Sequence, residues 1–228
     1  MIADKKKFFG GFVLLAAFIV VLIIIFSPVF KGQNGLEYLD ALYNCISKGS
    51  AYYIPKVKEE TGNFVGKSIE VVVSISDEKQ AKQTALLFEK GGASVSVDGA
   101  SLRITGDLGK ILENSLADAD KMYQNDGKAV SEKYGYNERQ VLFNWWKALN
   151  AMDKDLKKQK KFKEAKIVAL VIKKGVEPSY NYYKIEPQQI SDRFGIVIFS
   201  LVFYVVYTLW YGFAIMYMFE GWGMKLEH

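Results

Sequence analysis

Two long runs of uncharged, apolar residues lie near the ends of the chain, and charged residues fill the sequence between them. The first run extends from Phe8 to Phe30 and the second from Phe194 to Phe219, which is 23 and 26 residues. As helices they would be roughly 34 and 39 Å long, enough for a hydrocarbon core of about 30 Å. Each run therefore predicts a transmembrane helix, and a cleavable signal peptide is the alternative for the first.

The second run carries hydroxyl groups on one helical face. Ser200, Tyr204, Thr208 and Tyr211 recur at spacings of four, four and three residues. Lipid tails offer hydroxyls no partner, so this face is a candidate contact with another membrane protein or a second copy of this chain. The alternative is that the first helix, or carbonyls one turn earlier, satisfy these hydroxyls. Neither run contains a charge, which argues against a proton relay, ion pump or voltage sensor.

Lysines 5, 6 and 7 precede the first run, and the positive-inside rule then predicts that both termini are cytoplasmic. In a bacterium the chain would be a two-pass protein of the inner membrane with a periplasmic or extracellular central domain. The predicted segments are a cytoplasmic tail (1–7), a transmembrane helix (8–30), an extracytoplasmic domain (31–193), a transmembrane helix (194–219) and a cytoplasmic tail (220–228). The ending Leu226-Glu227-His228 looks like the start of an affinity tag.

The central segment alternates strand and helix patterns. Ser68 to Ile75 is rich in β-branched residues and predicts a strand, and a helix follows from Asp77 to Lys90. The next predicted elements are strands at 93–97 and 102–104 around an Asp98-Gly99 turn, and a helix from Leu108 to about Asn125. This strand, helix, strand, strand, helix order resembles part of a ferredoxin-like arrangement, a likeness of fold that implies no function.

Two further helices complete the predicted domain, one from Leu36 to Lys48 and a long one from Asn137 onward. The fold class is thus a membrane protein with two transmembrane helices flanking an α+β extracytoplasmic domain, a βαββα layer plus a long helix. In the long helix Trp145 and Trp146 must point to different faces, so we expect one in the core and one as a candidate contact point.

A lysine-rich segment follows, from Lys154 to Lys166, with seven lysines and two acidic residues. Its net charge equals the +5 of the whole chain. Five of these lysines are predicted to surround the helix as a candidate basic contact surface: Lys157, Lys158, Lys160, Lys161 and Lys163. A solvated helix surface, an acidic protein partner and anionic lipid headgroups are the open interpretations, and nucleic acid is not expected.

Composition removes several chemistries. The chain has one cysteine, Cys45, and one histidine, His228, so Ser-His-Asp and Cys-His catalysis, haem ligation through histidine and nearly all zinc sites are excluded. Asp118 and Asp120 stand two apart on a helix and predict a solvated face rather than a magnesium or calcium site. We expect no catalytic residue, cofactor or metal, although a Ser-Lys hydrolase is left open by the many serines and lysines.

These observations predict a non-enzymatic accessory or scaffolding subunit of a membrane protein complex, with lipid and other subunits or a second copy as partners. One alternative is a membrane-anchored ligand-binding or sensing module, with a pocket near Tyr52, Tyr53 or Trp146. The other follows from a resemblance. Two termini inside and an α+β domain with a long helix outside resemble the polysaccharide co-polymerases. Those proteins carry a proline-rich motif at the second span, whereas the approach to the second span here holds only Pro178 and Pro187. That resemblance implies a homo-oligomeric regulator of chain length.

Overall fold

The computed structural model describes residues 2–30 and 32–224, so the tag-like Leu226-Glu227-His228 lies outside the described residues. The chain divides into two compact units. The terminal unit comprises the chain up to Ile46 and from Pro187 onward, and the central unit is Ser47–Glu186. The described chain is mostly helical and contains a small three-stranded sheet.

The helices, in chain order, are α1 Lys5–Phe26, α2 Gly35–Ser50, α3 Ile54–Gly62, α4 Glu78–Lys90, α5 Leu108–Tyr123, α6 Gly127–Tyr134, α7 Glu138–Lys158, α8 Phe162–Val171, α9 Glu177–Asn181 and α10 Phe194–Trp222. A π-helical turn, Ile172–Val176, joins α8 to α9, and a 3-10 turn, Ile190–Arg193, precedes α10. The strands are β1 Ser68–Ser74, β2 Ser94–Asp98 and β3 Ser101–Asp107.

The sheet has the order β1-β3-β2, with both neighbouring pairs antiparallel. The predicted order of strand, helix, strand, strand, helix is confirmed by β1, α4, β2, β3 and α5. Side chains on β1 alternate between buried and exposed, with Ile69, Val71 and Val73 at 2% exposure or less. One face of the sheet therefore packs on helices while the other is open, as antiparallel sheets allow.

Short polar side chains fix where three helices of the central unit begin. Asp77, Asp107 and Asn137 accept hydrogen bonds from main-chain N–H groups in the first turns of α4, α5 and α7. Each side chain satisfies a donor that the helix leaves unpaired. The core beneath includes Phe88 and Trp145, both fully buried with ring centroids 5.2 Å apart.

Three helices of the central unit, α3, α6 and α9, were not predicted. The segment after Tyr53 forms α3, with Ile54, Val57 and Thr61 buried on one face. The short helix α6 buries Val130 and Tyr134 in the same manner. Both are brief amphipathic helices whose stability comes from packing rather than from length.

In the terminal unit, α1 and α10 pack along each other; we call them the apolar helix pair. Both helices are long and apolar enough to cross a membrane, and only 11% and 6% of their most apolar windows are buried. Compared with the predicted segments, α1 begins at Lys5 and ends at Phe26, and α10 continues to Trp222. A Cβ atom on Gly11 would lie 2.7 Å from the Ala214 carbonyl oxygen, so the backbones meet closely there.

Candidate binding groove on the central unit

The four hydroxyl residues of α10 do not form one surface. Ser200 is buried, its Oγ lies 2.6 Å from the Tyr43 hydroxyl, and it also donates to the Val197 carbonyl. Thr208 donates to the Tyr204 carbonyl one turn earlier, at 2.7 Å. Two of the four hydroxyls, those of Ser200 and Thr208, therefore already have hydrogen-bond partners inside the terminal unit.

Tyr204 and Tyr211 make up the rest of that face. Their side chains are 67% and 46% exposed, and within the described residues neither hydroxyl has a hydrogen-bond partner. The Tyr211 ring lies against Phe18 of α1, with centroids 5.2 Å apart. Tyr204 and Tyr211 remain as the part of the predicted face that is open to a further partner.

The lysine-rich segment does not surround one helix, and that prediction was wrong. The helix α7 ends at Lys158, Lys160 adopts a positive φ of 61°, and α8 begins at Phe162. A residue in the left-handed conformation ends an α-helix, here without the glycine that usually marks such a position. The predicted contact lysines 157, 158, 160, 161 and 163 instead lie around a corner between two helices, and Phe162 is 63% exposed there.

A groove of about 520 Å³ runs between β1 and α7 in the central unit. Its lining residues are Val72, Ser74, Ile75, Ser76, Trp146, Lys147, Asn150, Ala151, Lys154, Asp155 and Lys158. It therefore takes in Lys158 of the predicted basic surface and Trp146, the predicted contact point. Trp145 is fully buried and Trp146 is 37% exposed, so the expected division of this pair between core and surface is confirmed, and a contact at Trp146 stays a prediction.

One wall of the groove is the outer edge of β1. The Val72 N–H donates to Asp155 Oδ2 at 3.2 Å, and the Glu70 carbonyl accepts from Gln159 Nε2 at 2.8 Å. The Ile75 N–H instead donates to the Ala100 carbonyl, on the side of β3. Because backbone groups alternate in direction along an antiparallel strand, the N–H and C=O of Ser74 face the groove, without partners in the described chain.

The other wall is one face of α7. Lys147, Lys154 and Lys158 are spaced seven and four residues apart, which puts all three on that face over about 16 Å. Trp146 stands beside them, and its Nε1–H donates to Glu177 at 2.8 Å. Lys158 was among the predicted contact lysines, whereas Lys147 and Lys154 were missed, although their spacing is visible in the sequence.

A serine and a lysine meet at one end of the groove. Lys147 Nζ donates to Ser76 Oγ and lies 3.4 Å from Gln80 Oε1. A Ser-Lys nucleophile needs a neutral amine, produced by an apolar enclosure, and donors for an oxyanion. Here Lys147 Nζ lies 5.3 Å from the centroid of the Phe143 ring, on the wall of an open groove. This pair is the place where the Ser-Lys hydrolase left open by the sequence would have its nucleophile.

Asp118 was predicted to lie on a solvated helix face, and that prediction was wrong. Its side chain is 3% exposed and accepts from Tyr134 Oη at 2.5 Å, Trp145 Nε1 at 2.8 Å and Lys133 Nζ at 2.6 Å. Burial, and then the Asp118 charge, raise the pKa of Tyr134 above its ordinary value. The donors compensate the carboxylate for its lost hydration, so it is a structural group of the core.

Asp120, two residues further on, lies beside a smaller groove of about 390 Å³. It accepts from the Tyr52 hydroxyl and Lys58 Nζ, both at 2.7 Å. Partial burial, and then the hydrogen bond to Asp120, raise the pKa of Tyr52. The predicted pocket positions near Tyr52 and Trp146 thus both border grooves, whereas Tyr53 packs its ring under Lys174 Nζ at 4.2 Å.

Among residues 2–30 and 32–224, no group of three or more His, Cys, Asp or Glu side chains is placed to hold a metal ion. No protein-family model, no curated protein and no solved structure matches the chain. The structural features that bear on function are the grooves beside Trp146 and Tyr52, the basic residues and the apolar helix pair.

Proposed function

We propose that the chain is a membrane-anchored accessory or scaffolding subunit, non-enzymatic, which binds other proteins of a membrane complex. The apolar helix pair supports the anchoring, since its outward side chains are large and apolar along both helices. Phe12, Ile23, Phe199 and Leu209 are each 52% exposed or more. Such surface is unfavourable in water and favourable in a bilayer.

Both termini are proposed to be cytoplasmic, with the central unit outside. The lysines before α1 support this orientation. The salt bridge between Lys7 Nζ and Glu220 at 3.0 Å supports a common side for the two ends of the helix pair. Fusion of a periplasmic reporter enzyme after Met224 would test it: we expect an inactive fusion there and an active one inserted at the exposed Asp98-Gly99 turn.

The exposed tyrosine pair on α10 is the observation that carries the accessory role. Tyr204 and Tyr211 present hydroxyl groups on a helix face where lipid offers no hydrogen-bond partner. A helix of another subunit would satisfy them. The ring edges of these two residues would supply contact area as well.

Gentle detergent extraction from native membranes, followed by mass spectrometry, tests this role. We expect a stoichiometric partner, whose yield falls when Tyr204 and Tyr211 are both changed to Phe. Thr208→Val is the matched control, because the Thr208 hydroxyl already donates to the Tyr204 carbonyl. A lone monomer would overturn the proposal, and a homogeneous homo-oligomer would favour the co-polymerase-like alternative.

A ligand-binding or sensing module is the second candidate. The groove beside Tyr52 favours it, because a lysine, a carboxylate and a phenol converge there on about 390 Å³ of space. A ligand of that groove should raise the melting temperature of the purified chain, and the shift should grow with the logarithm of ligand concentration above the dissociation constant. Tyr52→Phe should weaken that shift without unfolding the protein.

The non-enzymatic part of the proposal has its own test at Ser76. A fluorophosphonate probe labels activated serine nucleophiles, and we expect no labelling of Ser76 in the intact chain. Labelling that disappears in Ser76→Ala and in Lys147→Met would replace the proposal with a Ser-Lys hydrolase. Labelling that survives both substitutions would have no bearing on this pair and would be located by peptide mapping.

A further inference from the structure

The groove between β1 and α7 has the features of a site for an extended peptide. We infer that it binds an acidic segment of a partner protein, which adds as a strand beside β1. This inference rests on the proposed accessory function for the existence of a protein partner. It goes further by naming the surface, the conformation and the charge of what binds.

The β1 wall of the groove carries main-chain groups that have no partner in the described chain. The Val72 C=O and both main-chain groups of Ser74 point from β1 into the groove, and no described residue pairs with them. An open strand edge is a template for a further strand, and proteins use it to capture extended peptides. Alternating donors and acceptors of this kind match another peptide backbone, whereas a phosphate diester supplies acceptors alone.

The ends of the groove define how much peptide it holds. Asp155 closes one end by accepting from the Val72 N–H at 3.2 Å, and Lys147 closes the other by donating to Ser76. Four residue steps from Val72 to Ser76 correspond to about 13 Å of strand. The space therefore holds about three or four residues of a partner, with Val72 and Trp146, 42% and 37% exposed, as apolar contacts.

The α7 wall of the groove is positively charged. Lys147, Lys154 and Lys158 line the α7 wall, and the carboxylate among the lining residues, Asp155, already accepts from Val72 and Gln159. An added strand has side chains leaning toward this wall at every second residue. Acidic side chains at those positions would pair with the lysines, while lysines in the partner would be repelled.

Fluorescence anisotropy on the full chain in detergent micelles tests the inference. The probe is a fluorescein-labelled synthetic peptide of about four residues in which Asp and Val alternate, a length matched to the space that the groove offers. Two control peptides test the charge and the strand pairing separately. One replaces each Asp by Lys, and the other keeps the sequence but carries N-methyl groups on alternate backbone nitrogens, which blocks strand pairing.

We expect the Asp-Val peptide to bind and both control peptides to bind at least about tenfold more weakly. Equal binding of the N-methylated peptide would overturn strand addition. If dispersed anionic lipid also displaced the peptide in that case, the lysines would belong to a membrane-facing surface instead. Absence of binding by the Asp-Val peptide would overturn the inference directly.

Charge-reversal variants localise the binding. Lys154→Glu with Lys158→Glu should weaken binding about tenfold, since both side chains line the groove. Lys163→Glu with Lys166→Glu is the matched control: it makes the same change in net charge, in the same lysine-rich segment, on exposed residues of α8 outside the groove. Equal weakening by the two variants would mean non-specific attraction and would overturn the site.

Ser74→Pro removes the groove-facing N–H without changing charge. A proline is tolerated on an edge strand where the lost N–H was unpaired, so the variant should fold and lose binding about tenfold. Circular dichroism checks its fold. The N-methylated peptide tests the same strand pairing with the unsubstituted protein. Co-purification of a partner with no peptide binding would reject this site and leave the accessory role standing; peptide binding by a chain that purifies alone would do the reverse.

Discussion

The apolar helix pair and the central unit use apolar residues in opposite ways. In the central unit large side chains such as Phe88, Leu112 and Trp145 are fully buried, and charged groups cover the outside. In the helix pair most large side chains point outward. The helices meet closely at glycines, where Gly11 lies against Ala214 and Gly221 against Phe8, and the buried Phe18 ring packs on Tyr211. The hydrophobic effect drives the first arrangement, whereas close backbone packing is what remains to hold helices together in lipid.

Polar groups differ between the units as well. The central unit buries a carboxylate, Asp118, and surrounds it with donors from three side chains. The helix pair has no charged residue between Phe8 and Phe30 or between Phe194 and Phe219. Loss of a single polar contact should therefore lower the stability of the central unit strongly and that of the helix pair only slightly.

The largest effect is expected at Asp118. Asp118→Ala leaves the Tyr134 hydroxyl and the Trp145 indole N–H buried without an acceptor, and should cost about 3–5 kcal/mol of unfolding free energy. Urea unfolding followed by tryptophan fluorescence measures it. Asp120→Ala, two residues away and more exposed, should cost about 1 kcal/mol or less. Equal losses for the two variants would contradict a buried network centred on Asp118.

Tyr123 should make the central unit sensitive to alkali. It is 5% exposed and donates to the Lys48 carbonyl, and burial raises its pKa to about 12. The folded state therefore keeps a proton that the unfolded state loses near pH 10. Its stability contribution is complete below about pH 10 and should fall by about 1.4 kcal/mol per pH unit toward pH 12.

Urea unfolding midpoints taken from pH 9 to pH 12 would show this decline. Tyr123→Phe should reduce the slope over that range, since the side chains that titrate in both proteins cancel in the comparison. An unchanged slope would mean that Tyr123 is not held protonated by the fold.

Much of the central unit could be predicted from sequence because its signals are local. Strand β1 alternates in polarity, and the caps Asp77 and Asn137 stand directly before their helices. The helix α3 carried a signal that was overlooked: Pro55 lies in its first turn, where proline favours a helix start. Each of these elements has its signal in residues that are neighbours in the sequence.

The environment of Asp118 could not be predicted because its donors come from α6 and α7, 15 to 27 residues away. The corner at Lys160 was missed because a lysine occupies a left-handed position that glycine usually marks. The groove depends on which strand lies at the sheet edge, a property of the β1-β3-β2 order and not of any one strand's sequence.

Gly11 should be a sensitive position of the helix pair, because the backbone of α10 passes close to it. A Cβ there would lie 2.7 Å from the Ala214 carbonyl oxygen and from Met218 N, so Gly11→Leu must separate the helices, at a cost of about 1–3 kcal/mol. The neighbouring Gly10 has open space around it, so Gly10→Leu is the matched control.

Disulfide formation reports this separation. Ala3→Cys with Gly223→Cys, in a Cys45→Ser background, places two thiols where the Ala3 Cβ is 3.2 Å from the position of a Cβ on residue 223. The φ of 96° at Gly223 strains that cysteine, and it does so equally in every variant compared. Gly11→Leu should lower the disulfide yield and Gly10→Leu should leave it unchanged. Equal yields for both would show that the pair is not held by the close approach at Gly11.

The smallest effect compares two hydroxyls of α10. Ser200→Ala deprives the Tyr43 hydroxyl of a partner at 2.6 Å, and interhelical bonds of this kind contribute about 0.6 kcal/mol in membranes. Thr208→Val removes a hydroxyl that donates to its own helix, and should cost less. A double-mutant cycle of Ser200→Ala with Tyr43→Phe, read as the shift in thermal unfolding midpoint in detergent, measures the coupling. A larger loss for Thr208→Val than for Ser200→Ala would mean that the Thr208 hydroxyl has a partner outside its own helix, which would extend the proposed contact face from Tyr204 and Tyr211 to a third residue.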